Sequence, residues 1–510
     1  MLALLKNAWA RTPKYAVAAA VLVVLCAAAA IATHSLNVGF GDDYALYVRQ
    51  ARSLLDGDVP RVVGDNAFLV SAKGAETPEF TPTVYPWVTS LLMVPFVRLF
   101  GHTAFGRLRL AEVFFLCVWV IAFLRLLRTR VPSAAALVIT AIVALNTQYL
   151  VHTNSVLSEI PYLMLATLLL VLFDRVGARH DPLQLPWSAA WQLGAMGSIV
   201  FNTRREGMAI IPALLAWQAL SWWRNGQQPT ARPRPTWAAA RPYATFVASC
   251  FVFQVVLPST LFPGYEGSGL SNSFDHLING YREVVGEILG LDAFPSVVLF
   301  LFISLAVVGA IDRLRNGHDA ALIAFVACSS ILSASHRIVI TRYMMLTVPF
   351  LVYLMYQGVV YLLGRRTTRQ VFLLTPVVAL LVVTLVNTAV EIDEVQDRRA
   401  NNTYKLGPGA PGEDDGFEAV RVYTAAGDVV AFFKGRLMSL LTDRRSVQTM
   451  QPEVILAEAD YYLQRHAMFE PPDGGFSPFL GVPQFTPEQA AEQGLVEVWR
   501  NDRWVLWRIP

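Results

Sequence analysis

Two adjacent carboxylates, Asp42 and Asp43, stand in Gly41-Asp42-Asp43-Tyr44-Ala45-Leu46-Tyr47, a few residues after an apolar segment that ends near Thr33. One acidic group at membrane depth costs on the order of 3 kcal/mol. At the interface that cost falls, and the pair can bind a metal or take a proton from a substrate. The same pair also reads as a solvated turn, with Asp capping a helix that starts at Tyr44. Glu159 opens an otherwise apolar helix in Ser158-Glu159-Ile160-Pro161, where a first-turn acid also suits the helix dipole. Two cationic stretches accompany these acids: Arg204-Arg205-Glu206-Gly207, and His336-Arg337 through Arg342-Tyr343. A guanidinium can pair with a carboxylate or grip a phosphate with two parallel hydrogen bonds. His152 lies in the polar run from Asn146 to Ser158, which separates two apolar segments.

The elements that must position these residues are membrane helices. Of 510 residues, 55% are hydrophobic and 15% charged, with a mean hydropathy of +0.44. A soluble chain carries about 25% charged residues. The net charge of +3 is too small to suggest a nucleic-acid partner. The four cysteines (Cys26, Cys117, Cys250 and Cys328) all lie in apolar runs, which argues against a disulfide framework or thiolate metal site. No P-loop, GxSxG or HExxH motif is present.

Apolar stretches near the length of a span fall at roughly 15–33, 107–127, 132–150, 157–173, 187–202, 206–222, 243–262, 296–311, 319–335, 343–362 and 371–389. These predict about eleven transmembrane helices, the first a retained anchor. Val84–Phe100 is short and holds Pro86 and Pro95. If it does not span, the basic groups around Arg11, Arg125–Arg130, Arg175–Arg179, Arg224–Arg241, Arg313–Arg315 and Arg365–Arg369 all fall on the cytoplasmic side. If it spanned, that order would invert. Val84–Phe100 is therefore expected as an interfacial or re-entrant helix. This arrangement puts the 34–106 loop, Asp42-Asp43, the 263–295 loop and the tail after about Val390 outside. Residues 1–390 form the expected membrane domain. Residues 391–510 form a small α/β domain, with a strand at Val429–Phe433, a helix at Ala457–Arg465, and a hairpin around Asn501-Asp502. Arg204, Arg205 and Arg342 then break the positive-inside pattern, which suggests one shared anionic ligand on the outer face.

The order of these pieces resembles the C-type (GT-C) glycosyltransferases that use polyprenyl-phosphate sugars. That group includes protein O-mannosyltransferases, lipid A aminoarabinose transferases and related bacterial envelope enzymes. The resemblance covers about residues 15–390. It rests on the acidic pair followed by the aromatic-rich helix that ends at Gly57, and on Thr81-Pro82 through Tyr85-Pro86 to Phe100-Gly101. Arg107 and Arg109 come next, then Ser158-Glu159, Arg204-Arg205-Glu206-Gly207, and Arg342-Tyr343 with Pro349. Two departures are Asp43 where Glu is usual and Glu159 where many members have Asp.

The resemblance implies a multi-pass protein of the bacterial inner membrane, with a cytoplasmic N-terminus and an extracytoplasmic tail. Its donor would be a polyprenyl-phosphate-linked sugar, and its acceptor an envelope glycan, lipid or protein. Asp42 would be the catalytic base, with Asp43 and Glu159 beside it. Arg204, Arg205, Arg342, Tyr343 and His336 would hold the donor phosphate, and Tyr44, Tyr85 and His152 would line the acceptor cavity. A divalent metal ion is a possible cofactor. A transporter or flippase of a lipid-linked sugar would use the same arginines without a base, and commonly shows paired repeats, which this sequence lacks. A non-catalytic envelope scaffold is the third alternative.

Overall fold

The computed structural model describes residues 13–72, 84–226, 237–261, 295–334, 341–364, 367–448, 451–466 and 484–510. Helix α1 (Pro13–Ala32) is apolar beyond its first turn and leaves Val17, Val21, Val24 and Leu25 exposed. Such a surface suits lipid. Two amphipathic helices follow, α2 (Asp43–Asp56) and α3 (Val59–Ser71). Helix α4 (Trp87–Phe100) has 14 residues. At 1.5 Å per residue it is about 21 Å long, short of a hydrocarbon layer about 30 Å thick. It packs on α2 and on α5 (Phe105–Arg128).

The expected span 132–150 is two helices, α6 (Ser133–Ala144) and α7 (Thr147–His152). The cause is Asn146, whose side chain accepts from the Gln148 backbone N–H at 3.0 Å and starts a new helix. A carbonyl freed at this break finds another partner, since the Thr388 hydroxyl donates to the Leu145 carbonyl.

Helices α8 (Glu159–Gly177), α9 (Trp187–Phe201), α10 (Ile210–Gly226), α11 (Trp237–Val256), α12 (Pro295–Arg315) and α13 (Ala320–Ala334) continue the bundle. A one-turn α14 (Thr341–Met344), α15 (Val348–Leu363) and the long α16 (Thr367–Ala400) complete it. Each of the eleven apolar segments read from the sequence overlaps a helix within the described residues. Among the described residues α1, α5, α8 and α11 are long and apolar enough to cross a membrane. α5 and α8 are mostly buried and central, whereas α1 and α11 are mostly exposed and peripheral. Helices α12 and α15 meet at glycines: a Cβ on Gly309 would sit 2.0 Å from the Leu354 carbonyl, and one on Gly358 2.0 Å from that of Leu305. Small residues at such crossings let helix backbones touch.

At the end of the bundle away from Asp43, Arg130 makes a two-pronged contact with Asp174 and bonds to Asp319 at 2.8 Å. Asp319 also accepts from Arg313 at 2.7 Å and from the Tyr353 hydroxyl. This buried network ties α5, α8, α12, α13 and α15 together.

Past α16 come α17 (Asp414–Tyr423), β1 (Val429–Ala431), α18 (Gly435–Thr442), β2 (Arg445–Val447) and α19 (Pro452–Glu458). Then follow β3 (Tyr461–Arg465), α20 (Pro487–Glu492), β4 (Val496–Arg500) and β5 (Trp504–Arg508). The strands form one sheet in the order β2-β1-β3-β5-β4. β1 is parallel to β2 and β3, and β5 is antiparallel to β3 and β4. The hairpin around Asn501-Asp502 and the strand after Asp428 are where the sequence puts them. The helix expected over Ala457–Arg465 is not: α19 ends at Glu458 and Tyr461–Arg465 is the central strand. Tyr462, Leu463, Gln464 and Arg465 are all buried there, so both faces of this strand are covered, which an amphipathic helix pattern does not describe. The expected boundary at 390 falls inside α16, which runs unbroken to Ala400.

The sheet domain is fastened to the segment after α1. The Phe40 ring lies 5.0 Å from Phe433, 6.2 Å from Phe432 and 6.3 Å from Trp504. Helix α18 packs on α2 and strand β2 on α3. Arg52 reaches Asp443 with two hydrogen bonds, at 2.8 and 3.2 Å.

Candidate active site

The acidic pair begins α2. Asp42 takes the N-cap position, yet its side chain makes no capping hydrogen bond, so the solvated-cap reading does not account for it. Asp43, the first helical residue, turns into a cluster of charges. Its Oδ1 accepts from the Tyr85 hydroxyl at 2.6 Å, and its Oδ2 lies 2.9 Å from Arg342 Nη1. Burial disfavours the Asp43 carboxylate, but Arg342 and the Tyr85 hydrogen bond outweigh it and hold the group below the usual carboxylate range. Burial also raises the Tyr85 phenol, so it stays a proton donor.

Arg342 extends the cluster to α8. Its Nε is 3.5 Å from Glu159 Oε1, and the same oxygen accepts from Arg204 Nη1 at 2.8 Å. Glu159 is 2% exposed and therefore lies fully inside, between two guanidinium groups. Arg204 also bonds to Ser158 Oγ at 3.1 Å and to Glu206 at 2.7 Å. The Tyr343 ring lies under both cations, 5.0 Å from Arg204 and 5.1 Å from Arg342, a favourable cation–π geometry. Local backbone makes this possible. The 3₁₀ turn Arg205–Ala209 lies so close to the end of α9 that a Cβ on Gly207 would come within 2.6 Å of the Phe201 nitrogen. Only glycine lets this turn set Arg204 and Glu206 against α8.

Asp43, Glu159, Arg204, Arg342, Tyr343 and Tyr85 are thus brought together, from elements spread over 300 residues of sequence. Arg205 is not among them. Its guanidinium is used on Thr260 O at 2.8 Å, Ser259 Oγ at 2.6 Å and Asn202 Oδ1 at 3.2 Å, and it stacks on Phe201 at 4.4 Å. Tyr44 packs against Phe105 at 5.2 Å and donates to Gly39 O, so it belongs to the core rather than to the cluster. His152 bonds back to Gln148 O within α7. His336 lies outside the described residues.

Arg436, near the start of α18 in the sheet domain, was not expected. Its Nη1 donates to the Tyr85 hydroxyl at 2.6 Å and its guanidinium lies 4.7 Å over the Tyr85 ring. It is close enough to Asp42 and Asp43 for both charges to stabilise its cation, against the cost of burial. Nothing in the local sequence marks it, because its partners lie about 350 residues away. Glu112 of α5 is also buried, and its Oε1 accepts from the Leu157 N–H at 3.2 Å, holding the segment that leads into Glu159.

The donor set does not suit a metal. Among the described residues no three His, Cys, Asp or Glu side chains gather to hold an ion. The carboxylates of Asp43 and Glu159 already face guanidinium groups, which would compete with a cation for the same oxygens.

No protein-family model matches the sequence, and no curated protein matches it. Solved structures do match in shape. ArnT from Cupriavidus metallidurans in the apo state superposes with a TM-score of 0.53 at 12% identity, over 96% of this chain and 97% of that one. The same protein bound to undecaprenyl phosphate superposes with a TM-score of 0.54 at 10% identity, with the same coverage. The chain has the fold of ArnT over nearly its whole length, sheet domain included.

Proposed function

We propose that this protein is a membrane glycosyltransferase that moves a sugar from a polyprenyl-phosphate donor to an envelope glycan, lipid or protein acceptor. The observation that carries the reading is the meeting of Asp43, Glu159, Tyr85, Arg204 and Arg342 beside Asp42 at one end of the helical bundle. Carboxylates and guanidinium groups held in a largely buried site can handle a proton and a phosphate in one reaction. The ArnT fold adds support, since that protein's structure with undecaprenyl phosphate shows this architecture accommodating a polyprenyl phosphate.

Asp42 is the base in this scheme. Asp43 is committed to Tyr85 and Arg342, which lowers its basicity. The Asp42 carboxylate takes the proton from the acceptor hydroxyl or amine as that atom attacks the anomeric carbon. The bond from this carbon to the phosphate oxygen breaks, and its electron pair leaves with the phosphate. Attack opposite the leaving group inverts the carbon. In this scheme Arg342 stabilises the phosphate as its charge grows, and such stabilisation lowers the barrier when it strengthens in the transition state. Arg204 is engaged by Glu159, Glu206 and Ser158, and in this scheme positions Glu159 and the Tyr343 ring.

The site end of the bundle would face outward, with all eleven helical segments spanning and α4 at the interface. The test is mass spectrometry of envelope glycans and lipids in a deletion strain, complemented with wild type or with Asp42→Asn. A modified species should vanish on deletion, return with wild type and stay absent with Asp42→Asn, at equal protein abundance. Full restoration by Asp42→Asn would remove the base assignment.

A further inference from the structure

We infer that Arg436 of the sheet domain completes the phosphate site with Arg342, so that the donor is held jointly by the membrane helices and the C-terminal domain. This rests on the reading of the site given above and names a further ligand within it.

Three observations converge. Arg436 and Arg342 flank one short hydrogen-bonded chain. Arg436 Nη1 donates to the Tyr85 hydroxyl at 2.6 Å, Tyr85 donates to Asp43 at 2.6 Å, and Asp43 pairs with Arg342 at 2.9 Å. The buried Arg436 Nε–H has no hydrogen-bond acceptor among the described residues, and the buried Arg342 Nε–H, paired with Glu159 only at 3.5 Å, makes no hydrogen bond among them either. Buried donors are nearly always satisfied in folded proteins, so two such groups around one carboxylate mark a place for an acceptor-rich ligand. Finally, Arg436 makes no ion pair at salt-bridge distance among the described residues, only the phenol contact. A phosphate offers several oxygens to such donors and a full negative charge.

The domain is built to keep Arg436 there. Helix α18 packs on α2, whose first residue is Asp43. The Arg52–Asp443 link fixes the far end of α18 to the same helix. The Arg436 guanidinium lies over the Tyr85 ring, which in turn packs at a 38° tilt against Tyr47, 5.2 Å away. An Arg in such a stack is pre-organised, so little freedom is lost when it grips a ligand.

The experiment titrates purified full-length protein in detergent with undecaprenyl phosphate, and with undecaprenol as the uncharged control. Wild type, Arg436→Ala, Arg436→Lys and Arg342→Ala are compared, each checked by thermal unfolding. Arg436→Ala and Arg342→Ala should each lower affinity for the phosphate by about tenfold or more while leaving undecaprenol binding unchanged. Arg436→Lys should fall between wild type and Arg436→Ala, and it carries the test if the Ala variant does not fold. Wild-type affinity in the Arg436 variants with weak binding by Arg342→Ala would overturn this inference and leave the proposed function standing. Wild-type affinity in Arg342→Ala as well would overturn both. Equal losses for undecaprenyl phosphate and undecaprenol would make Arg436 a purely structural residue, which also overturns the inference.

Discussion

At the scale of single residues, the roles proposed for the two acids differ because Asp43 is tied to Arg342 and Tyr85. Asp43 is held by Arg342 and Tyr85, and its folded pKa lies below the ordinary value near 3.9. A carboxyl with a depressed pKa contributes stability above its unfolded pKa and loses it only as the pH falls through the lower folded value. The Arg342–Asp43 link therefore does not titrate between about pH 5 and 8. An acid limb of turnover inside that window belongs to another group. Asp43→Asn should lower the rate at every pH and leave the limb where it is; a limb that moves with this substitution would contradict the assignment. Arg342 reaches Asp43, Glu159 and the Tyr343 ring at once, a geometry set by a planar fork. Arg342→Lys keeps the charge but not the fork. It should weaken undecaprenyl phosphate binding by about tenfold and slow turnover as well. Unchanged affinity and turnover in purified protein would take Arg342 out of the phosphate site.

At the scale of elements, helices far from the site carry the positioning load. α8 presents Glu159 at one end and Asp174 near the other, where Arg130 bridges it to Asp319. Arg130 and Asp319 side chains are 6% and 4% exposed, so their charges are out of water. Removing Asp319 leaves Arg130 with Asp174 alone and takes this carboxylate from Arg313, at a cost of up to about 3–5 kcal/mol. Asp319→Ala should therefore lower the unfolding temperature clearly in detergent, while Asp42→Asn leaves it near that of wild type. An Asp319→Ala protein as stable as wild type would show that this network does not hold the bundle. The broken helix α6–α7 is a second such element. Its break at Asn146 is satisfied by Thr388, which couples α16 to the bundle just before that helix runs on toward the sheet domain.

At the scale of the whole molecule, orientation decides which compartment sees the site. The distribution of arginines is the basis for proposing a cytoplasmic N-terminus and an outer sheet domain. Reporter fusions inserted between Pro229 and Pro235 and after Gly412 should then report opposite sides of the membrane. The same side for both would overturn that orientation, and with it the extracytoplasmic site. The aromatic seam of Phe40, Phe432, Phe433 and Trp504 makes the sheet domain part of the same core as the helices, not a loosely tethered appendage.

The sequence by itself determined what depends on local order. Apolar run lengths located the helices, because a helix in lipid must be apolar along its length. Alternation and an Asn-Asp turn located the β4–β5 hairpin, because its two strands are neighbours in the chain. The acid pair, Glu159, Arg204, Arg342 and Tyr343 were legible because charges at the ends of apolar segments need a reason. Tertiary structure alone decided what depends on partners remote in sequence. It turned Tyr461–Arg465 into a central strand between β1 and β5, a pairing no local pattern encodes. It sent Arg205 to Ser259 and Thr260 while its neighbour Arg204 went to Glu159, since adjacent residues leave a turn in different directions. It also brought Arg436 from the sheet domain onto Tyr85, because folding joins residues about 350 positions apart when the surfaces that carry them bury each other.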